Sequence, residues 1–161
     1  MIITRPMDAN KKQRIGNWII FILYLMILFY FLFFAEMLGR GEISGEYRYN
    51  LIPFKEISRF WKYQDTVGFE VMFLNIFGNI LAFVPFGFFV SRLSKKGGNL
   101  FFGTLMGLEL SLLVELCQLI FRIGSFDVDD ILLNTLGAFF GYLIHWCLRK
   151  MKQKPMSRKK G

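Results

Sequence analysis

Residues 100–121 of the chain are LFFGTLMGLELSLLVELCQLIF, a run whose only charged side chains are Glu109 and Glu115. An apolar run of this length can cross a bilayer, because a transmembrane helix needs about 20 residues at ~1.5 Å of rise each. Three further runs share this character, and they cover residues 15–38, 69–90 and 131–148. The sequence therefore predicts an all-α, polytopic membrane protein that is built as a bundle of four transmembrane helices.

The composition supports this prediction. Hydrophobic residues make up 54% of the 161 residues, and the chain has 20 phenylalanines. A soluble domain of this size could not bury so much apolar surface. The connections between the predicted spans leave no room for a second folded domain. We predict a basic N-terminal segment at 1–14, a membrane domain at 15–148 with an outer loop at 39–68, and a basic tail at 149–161.

Basic residues are concentrated on one side of the predicted bundle. With the N-terminus in the cytoplasm, 14 of the 20 lysines and arginines fall in the three inner segments, and the other six fall in the outer ones. Because this bias toward cytoplasmic loops sets the topology of membrane proteins, we predict that both termini are cytoplasmic in a bacterial plasma membrane.

The net charge of +8 does not indicate a nucleic-acid partner. The basic residues stand in short runs next to the predicted spans rather than on a folded face. Attraction to anionic lipid headgroups and control of topology account for such runs. We expect membrane lipids as partners and no nucleic acid.

Residues 53–62, in the outer loop, have an amphipathic pattern. Phe54, Ile57 and Trp61 fall on one helical face, and charged side chains lie around the rest. This pattern is typical of a helix that lies in the plane of the membrane interface. Two roles are open for it, an aromatic anchor at headgroup level and a lid that shapes access to polar residues in the bundle.

The last three predicted spans and the turn before the final one carry polar side chains at helical spacing. Such groups are costly in hydrocarbon, so they should face one another inside the bundle and mark a site that opens outward. We expect Glu115 to pair with Arg122 or to hydrogen-bond to the neighbouring amides. The candidate ligand-binding residues are Asn75, Asn79, Glu115, Gln118, Arg122, Asp127, Asp130 and Asn134.

Structural roles are open for the same residues. Buried amides and an ion pair can simply fix the register of the helices. Asp127 stands where an acid can cap the N-terminus of the last span. Glu109 lies off the polar stripe of its helix, where it could contact the first span or another subunit.

The sequence identifies no cofactor and no oligomeric state. Paired acids could bind a divalent cation, but no spacing of metal ligands selects one. The pairs Gly103/Gly107 and Gly137/Gly141 have GxxxG spacing. We expect these glycines to allow close packing within the bundle rather than to mediate dimerisation.

Four ordered motifs between Tyr49 and Tyr142 resemble the signatures of the VanZ-like family of membrane proteins. These motifs are Asn50-Leu51-Ile52-Pro53-Phe54, Asn75-x-x-Gly78-Asn79-x-x-x-Phe83-x-Pro85-x-Gly87, Ser111-x-x-x-Glu115-x-x-Gln118 and Phe126-Asp127-x-Asp129-Asp130-x-x-x-Asn134-x-x-Gly137-x-x-x-Gly141-Tyr142. The resemblance implies an envelope protein that lowers sensitivity to teicoplanin, a lipid-tailed glycopeptide, without supplying altered peptidoglycan precursors.

Two functions stay open at this point. The first is a non-enzymatic module that binds a lipid headgroup, a lipid-linked envelope precursor or a lipoglycopeptide at the outer leaflet. The second is a small intramembrane hydrolase or transferase for a lipid-linked substrate, with Glu115 or Asp127 as the general base and Arg122 holding a phosphate or oxyanion. A transporter is less favoured, because four spans are few for alternating access unless subunits assemble.

The predicted topology can be tested by labelling single cysteines in intact cells. In a variant that lacks Cys117 and Cys147, a cysteine at Ser44 should react with an impermeant reagent, and a cysteine at Ser157 should not. The physical reason is the positive-inside bias, which holds both termini in the cytoplasm. Labelling at Ser157 but not at Ser44 would reverse the topology.

Overall fold

The computed structural model of the chain describes residues 9–35, 47–62, 69–94 and 99–153. The predicted glycine-rich part of the outer loop and the ends of the two basic terminal segments lie outside these residues. The elements, in chain order, are helix α1 (Ala9–Tyr30), which continues as a π-helical turn (Phe31–Ala35), strand β1 (Tyr49–Asn50), helices α2 (Lys55–Lys62), α3 (Phe69–Leu93) and α4 (Leu100–Phe121), strand β2 (Phe126–Asp127) and helix α5 (Val128–Gln153).

The all-α prediction is confirmed. The described residues include four helices long and apolar enough to cross a membrane, and these spans cover Asn10–Phe33, Phe73–Leu93, Leu100–Phe121 and Val128–Lys152. The last helix begins three residues before the predicted span and ends five residues after it, because polar residues at both ends continue the helix beyond its apolar part. Helix boundaries of this kind are not fixed by hydropathy.

Helix α5 is the centre of the bundle, since it packs along both α3 and α4. Its contact with α3 is made by glycines, and a Cβ atom added at Gly137 or Gly141 would overlap a backbone carbonyl of α3. On the α4 side, Gly107 faces Ala138 and Gly103 faces Ser91 and Tyr142. The expectation that the GxxxG pairs pack inside the bundle is confirmed.

Helix α1 packs against α3 through aromatic side chains. The ring of Phe21 lies 5.9 Å from that of Phe86 and 5.6 Å from that of Phe89, measured between centroids. The hydroxyl of Tyr24 donates to the carbonyl oxygen of Ala82 over 2.6 Å, in the turn of α3 that contains Pro85. The rest of α1 presents mostly exposed apolar side chains, as expected for a helix in contact with lipid.

Two short strands connect distant parts of the chain at one end of the bundle. Strands β1 and β2 pair in parallel, with Tyr49 opposite Phe126 and Asn50 opposite Asp127. This pairing holds the segment before α2 against the turn between α4 and α5. The strands are only two residues each, and the sequence pattern did not predict them.

The close contact between the backbones of α3 and α5 predicts that a larger residue at this contact destabilises the protein. Gly141→Ala should destabilise the protein by about 1–3 kcal/mol, because the added methyl group overlaps the Val84 carbonyl and forces the helices apart. The measurement is the thermal unfolding midpoint in detergent. Gly78→Ala, also within the bundle, is the control, since nothing lies within 4 Å of its added Cβ. Equal midpoints for the two variants would contradict the proposed packing.

Candidate functional site

A polar pocket of about 460 Å³ opens where β1, α2, α3 and α5 meet, at the end of the bundle where α4 ends and α5 begins. A volume of this size is in the range of small-ligand sites. Its charged lining residues have both signs, and they are Arg48, Lys55, Glu56, Arg59, Asp127, Asp129 and Asp130.

Asp129 organises one wall of this pocket. Its carboxylate accepts hydrogen bonds from the backbone N–H groups of Phe54, Glu56 (2.9 Å) and Ile57 (3.4 Å), at the start of α2. The first N–H groups of a helix have no partner within that helix, and a carboxylate satisfies them well. Asp129 is 1% exposed, so it caps α2 from inside the protein.

Asp127 caps the next helix in the same way. Its Oδ1 atom accepts from the N–H of Asp129 (2.8 Å), at the start of α5, and from Nδ2 of Asn50 (3.0 Å). Burial raises the pKa of the Asp127 carboxyl above its ordinary value, and the neighbouring Asp129 adds to the rise, whereas these two hydrogen bonds oppose it. The capping role that was left open for Asp127 is therefore the one that the structure shows.

Glu115 reaches the same junction from α4. It is 2% exposed, and its Oε2 atom accepts from the backbone N–H of Asp127 over 2.7 Å. The guanidinium of Arg122 lies over the ring of Tyr47, 4.4 Å from its centroid. Arg122 ends α4 in the left-handed conformation, and its N–H bonds to the carbonyls of Gln118 and Leu119. The acceptor role of Glu115 toward the backbone was not among the partners that we predicted for it.

The amides of the predicted cluster divide into two groups. Nδ2 of Asn79 donates to Asp130 over 2.6 Å, and Asn75, one turn earlier in α3, is exposed and lines the pocket with them. Asn134 lies outside the pocket lining and donates to the hydroxyl of Ser111 over 2.9 Å. Gln118 donates to the carbonyl of Leu32, in the π-helical turn of α1, over 2.9 Å.

The structure thus gathers half of the predicted residues around the pocket. Asn75, Asn79, Asp127 and Asp130 line it, whereas Glu115, Gln118, Arg122 and Asn134 are not among its lining residues. The second group connects α4 to its neighbours. Glu115 remains linked to the pocket wall through the Asp127 amide.

Sequence reasoning missed the basic residues of the pocket and Asp129. Arg48, Lys55 and Arg59 line the pocket, and Arg59 also pairs with Glu56 over 2.6 Å. Lys55 and Arg59 are two of the charged residues that the amphipathic pattern of residues 53–62 placed only on the polar face of an interfacial helix. The sequence contained one indication that α2 needs an acceptor such as Asp129. Residues 52–54, just before α2, include no Ser, Thr, Asp or Asn that could cap this helix. A helix without its own cap needs an acceptor from elsewhere.

The pocket lining combines basic, acidic and amide side chains. Basic side chains suit a phosphate or carboxylate, and Asp130 with the Asn75 and Asn79 amides suits hydroxyl or amine groups. In residues 9–35, 47–62, 69–94 and 99–153, no group of three or more His, Cys, Asp or Glu side chains is placed to hold a metal ion.

Two comparisons with known proteins agree with each other. The VanZ/LLP1 family matches residues 21–149 of the chain. Protein VanZ from Enterococcus faecium is 36% identical over 87 residues, a match that covers 53% of each chain. The match thus spans about half the length of this curated relative. No solved structure matches the chain.

The capping role of Asp129 predicts a local effect of its removal. Asp129→Ala leaves the first N–H groups of α2 without their acceptor, so the Glu56 and Ile57 amides should exchange hydrogen faster. The protein should lose about 0.5–2 kcal/mol of stability, the usual effect of losing a helix cap. Hydrogen exchange followed by mass spectrometry measures the first effect, and thermal unfolding in detergent measures the second.

Asp130→Ala is the matched control for this variant. It removes the adjacent acid of the same helical turn, which accepts a hydrogen bond from the Asn79 side chain. The Glu56 and Ile57 amides should keep their slow exchange in this control. If both variants accelerated exchange equally, the specific capping role would be wrong.

Proposed function

The chain belongs to the VanZ/LLP1 family of membrane proteins, and we propose that it binds the polar headgroup of a lipid or lipid-tailed glycopeptide at the outer leaflet. This binding is proposed to raise the tolerance of the cell for teicoplanin. The observation that carries the proposal is a polar pocket beside a rim of exposed apolar side chains.

The rim belongs to the segment that leads into and forms α2. Leu51, Ile52, Phe54 and Trp61 are all exposed, and Trp61 is 68% exposed. Monomeric soluble proteins rarely expose apolar side chains so close together, and at a membrane such side chains enter the region of the headgroups and upper acyl chains. A ligand with a polar head and an apolar tail can therefore place its head in the pocket and its tail along the rim.

The charges of the pocket support a headgroup as the part that enters. Lys55 is exposed on the first turn of α2, and Arg48 and Arg59 also line the cavity. A phosphate or carboxylate near these side chains gains charge-assisted hydrogen bonds. Asp130 and Asn79 on the opposite wall are suited to an amine or hydroxyl group. A zwitterionic or sugar-bearing headgroup satisfies both walls.

The size of the pocket limits what enters it. A cavity of about 460 Å³ holds a headgroup, a sugar or a short peptide portion, but it is too small for an entire glycopeptide antibiotic. We therefore propose that the rest of such a ligand stays in the aqueous phase while its tail stays in the bilayer. The predicted topology, with the pocket on the outer side, supports this arrangement.

The contacts of the acids favour binding over the enzymatic alternative. Glu115 and Asp127 were the candidates for a general base. In the structure, the Glu115 carboxylate accepts a hydrogen bond from the backbone N–H of Asp127, and the Asp127 carboxylate accepts one from the backbone N–H of Asp129. Acids that hold backbone amides in this way stabilise helix ends. An intramembrane hydrolase or transferase would need one of them to exchange its backbone contact for a contact with substrate.

The proposed function predicts a difference between two drugs. Expression of the chain in a sensitive Gram-positive host should raise tolerance to teicoplanin more than to vancomycin, because only teicoplanin carries an acyl tail that holds it at the outer leaflet. Minimal inhibitory concentrations of both drugs are the measurement. An equal increase for both drugs would count against recognition of a lipid tail, and no increase would exclude resistance as the role of this chain.

Variants of α2 connect this phenotype to the pocket. Lys55→Gln removes a charge from the pocket lining and should reduce the teicoplanin effect, since a hydrogen bond to a charged group contributes about 1.5–3 kcal/mol. Lys62→Gln is the matched control, because Lys62 is on the same helix but is not among the residues that line the pocket. A full effect in Lys55→Gln, with both variants equally abundant in the membrane, would contradict headgroup binding at this place.

A further inference from the structure

Helix α4 contains a second acid, Glu109, which plays no part in the pocket. Glu109 is exposed, and no side-chain hydrogen bond or ion pair is found for it among the residues that the structure describes. Glu115, on the same helix, shows the usual solution for an acid in a membrane span, since it is buried and accepts a backbone N–H. The contrast indicates that Glu109 has a partner outside this chain.

The position of Glu109 makes an exposed acid costly. It lies nine residues after Leu100 and twelve before Phe121, which places it about 13 and 18 Å from the two ends of α4. This depth is near the middle of the hydrocarbon layer, where a carboxyl group without a hydrogen-bond partner is strongly unfavourable. Acids at such positions almost always face another protein surface or a water-filled cavity.

Glu109 is one member of a regular seam on α4. Leu113, Leu116 and Ile120 follow it at spacings of four, three and four residues, which is the spacing of the contact positions in a coiled coil. All three are exposed, at 54%, 42% and 66%. The seam lies on the side of α4 away from Gly103 and Gly107, which already pack inside the bundle. It is therefore a helix face with coiled-coil spacing that no element of this chain covers among the described residues.

We propose that this seam is the interface of a homodimer in which Glu109 hydrogen-bonds to the partner subunit's Glu109. Copies of one protein share an orientation in the membrane, so a two-fold axis along the membrane normal places identical residues opposite each other at one depth. A carboxylic acid group fits this symmetry because it contains both a hydrogen-bond donor and an acceptor, so two such groups can pair with each other. The leucines and Ile120 then pack against their counterparts along the same axis.

The choice of a second copy over another membrane protein comes from this self-complementarity. A different partner would have to present a hydrogen-bonding or basic group at the middle of its own span, where such groups are rare. None of the four seam residues lines the pocket. The proposal does not depend on the proposed function.

Cross-linking tests the geometry of the interface. In the chain without Cys117 and Cys147, Leu113→Cys should form a disulfide-linked dimer in native membranes after mild oxidation. Leu136→Cys is the control, because Leu136 is exposed on α5, eight residues after Val128, and so lies at a depth similar to that of Leu113. A dimer from Leu113→Cys alone supports the proposal. Equal cross-linking of both variants, or of neither, would overturn it.

The role of Glu109 is tested by measuring association in vesicles. Fluorescently labelled chains in phosphatidylglycerol and phosphatidylethanolamine vesicles report the dimer by energy transfer as they are diluted with lipid. Glu109→Leu should raise the dissociation constant about threefold or more, a typical effect of losing a polar contact between transmembrane helices. Glu109→Gln should stay close to the parent chain, because an amide both donates and accepts.

Three results would overturn the proposal. These are a parent chain that is monomeric at every dilution, an unchanged dissociation constant for Glu109→Leu, and equal losses for Glu109→Leu and Glu109→Gln. Thermal unfolding in detergent shows whether each variant remains folded, and Glu109→Leu should unfold no earlier than the parent chain because an exposed leucine suits the hydrocarbon. Association of the parent chain only with a different membrane protein would likewise replace the second copy as the partner.

Discussion

Backbone N–H groups at the starts of α2 and α5 have to be satisfied where little water reaches them, and three carboxylates satisfy them. Glu115 accepts from Asp127, Asp127 accepts from Asp129, and Asp129 accepts from the first turn of α2. This chain of contacts joins α4, α5 and α2 in one direction, from the interior of the bundle to its surface. The pocket exists because these contacts hold α2 beside α3 and α5. Leaving one such N–H group without its acceptor costs about 1–3 kcal/mol, so each of these hydrogen bonds contributes to the stability of the protein.

The glycine contacts between α3 and α5 complete the scaffold. Gly87, Gly137 and Gly141 leave no room for a side chain, so the two helices approach backbone to backbone. Asn79 on α3 and Asp130 on α5 are joined by a hydrogen bond, and they form one wall of the pocket. The close-packed frame below the pocket and the capped helix beside it hold its walls in place, so the binding that we propose would need little rearrangement.

Hydropathy and helical periodicity were sufficient for the four spans and for the faces on which the polar residues lie, because both depend on local sequence alone. Hydropathy and periodicity could not identify the hydrogen-bond partners of those polar residues. Asp129 bonds to N–H groups more than 70 residues earlier in the chain, and Gln118 bonds to a carbonyl in α1. Backbone acceptors and donors carry no side-chain signature, so a pattern search matches acids with amides and bases and overlooks the main chain. The pairing of β1 with β2 was missed for the same reason.

The parallel pairing of Asn50 with Asp127 also sets an order of events during synthesis of the protein. The segment from β1 to α2 leaves the ribosome long before Asp127 and Asp129 are made, and it has no cap and no strand partner until they appear. At usual rates of translation, about 5–20 residues per second, this interval is about 4–15 s. The contacts that hold β1 and α2 in place, and with them the pocket, can therefore form only after Asp127 and Asp129 have been synthesised.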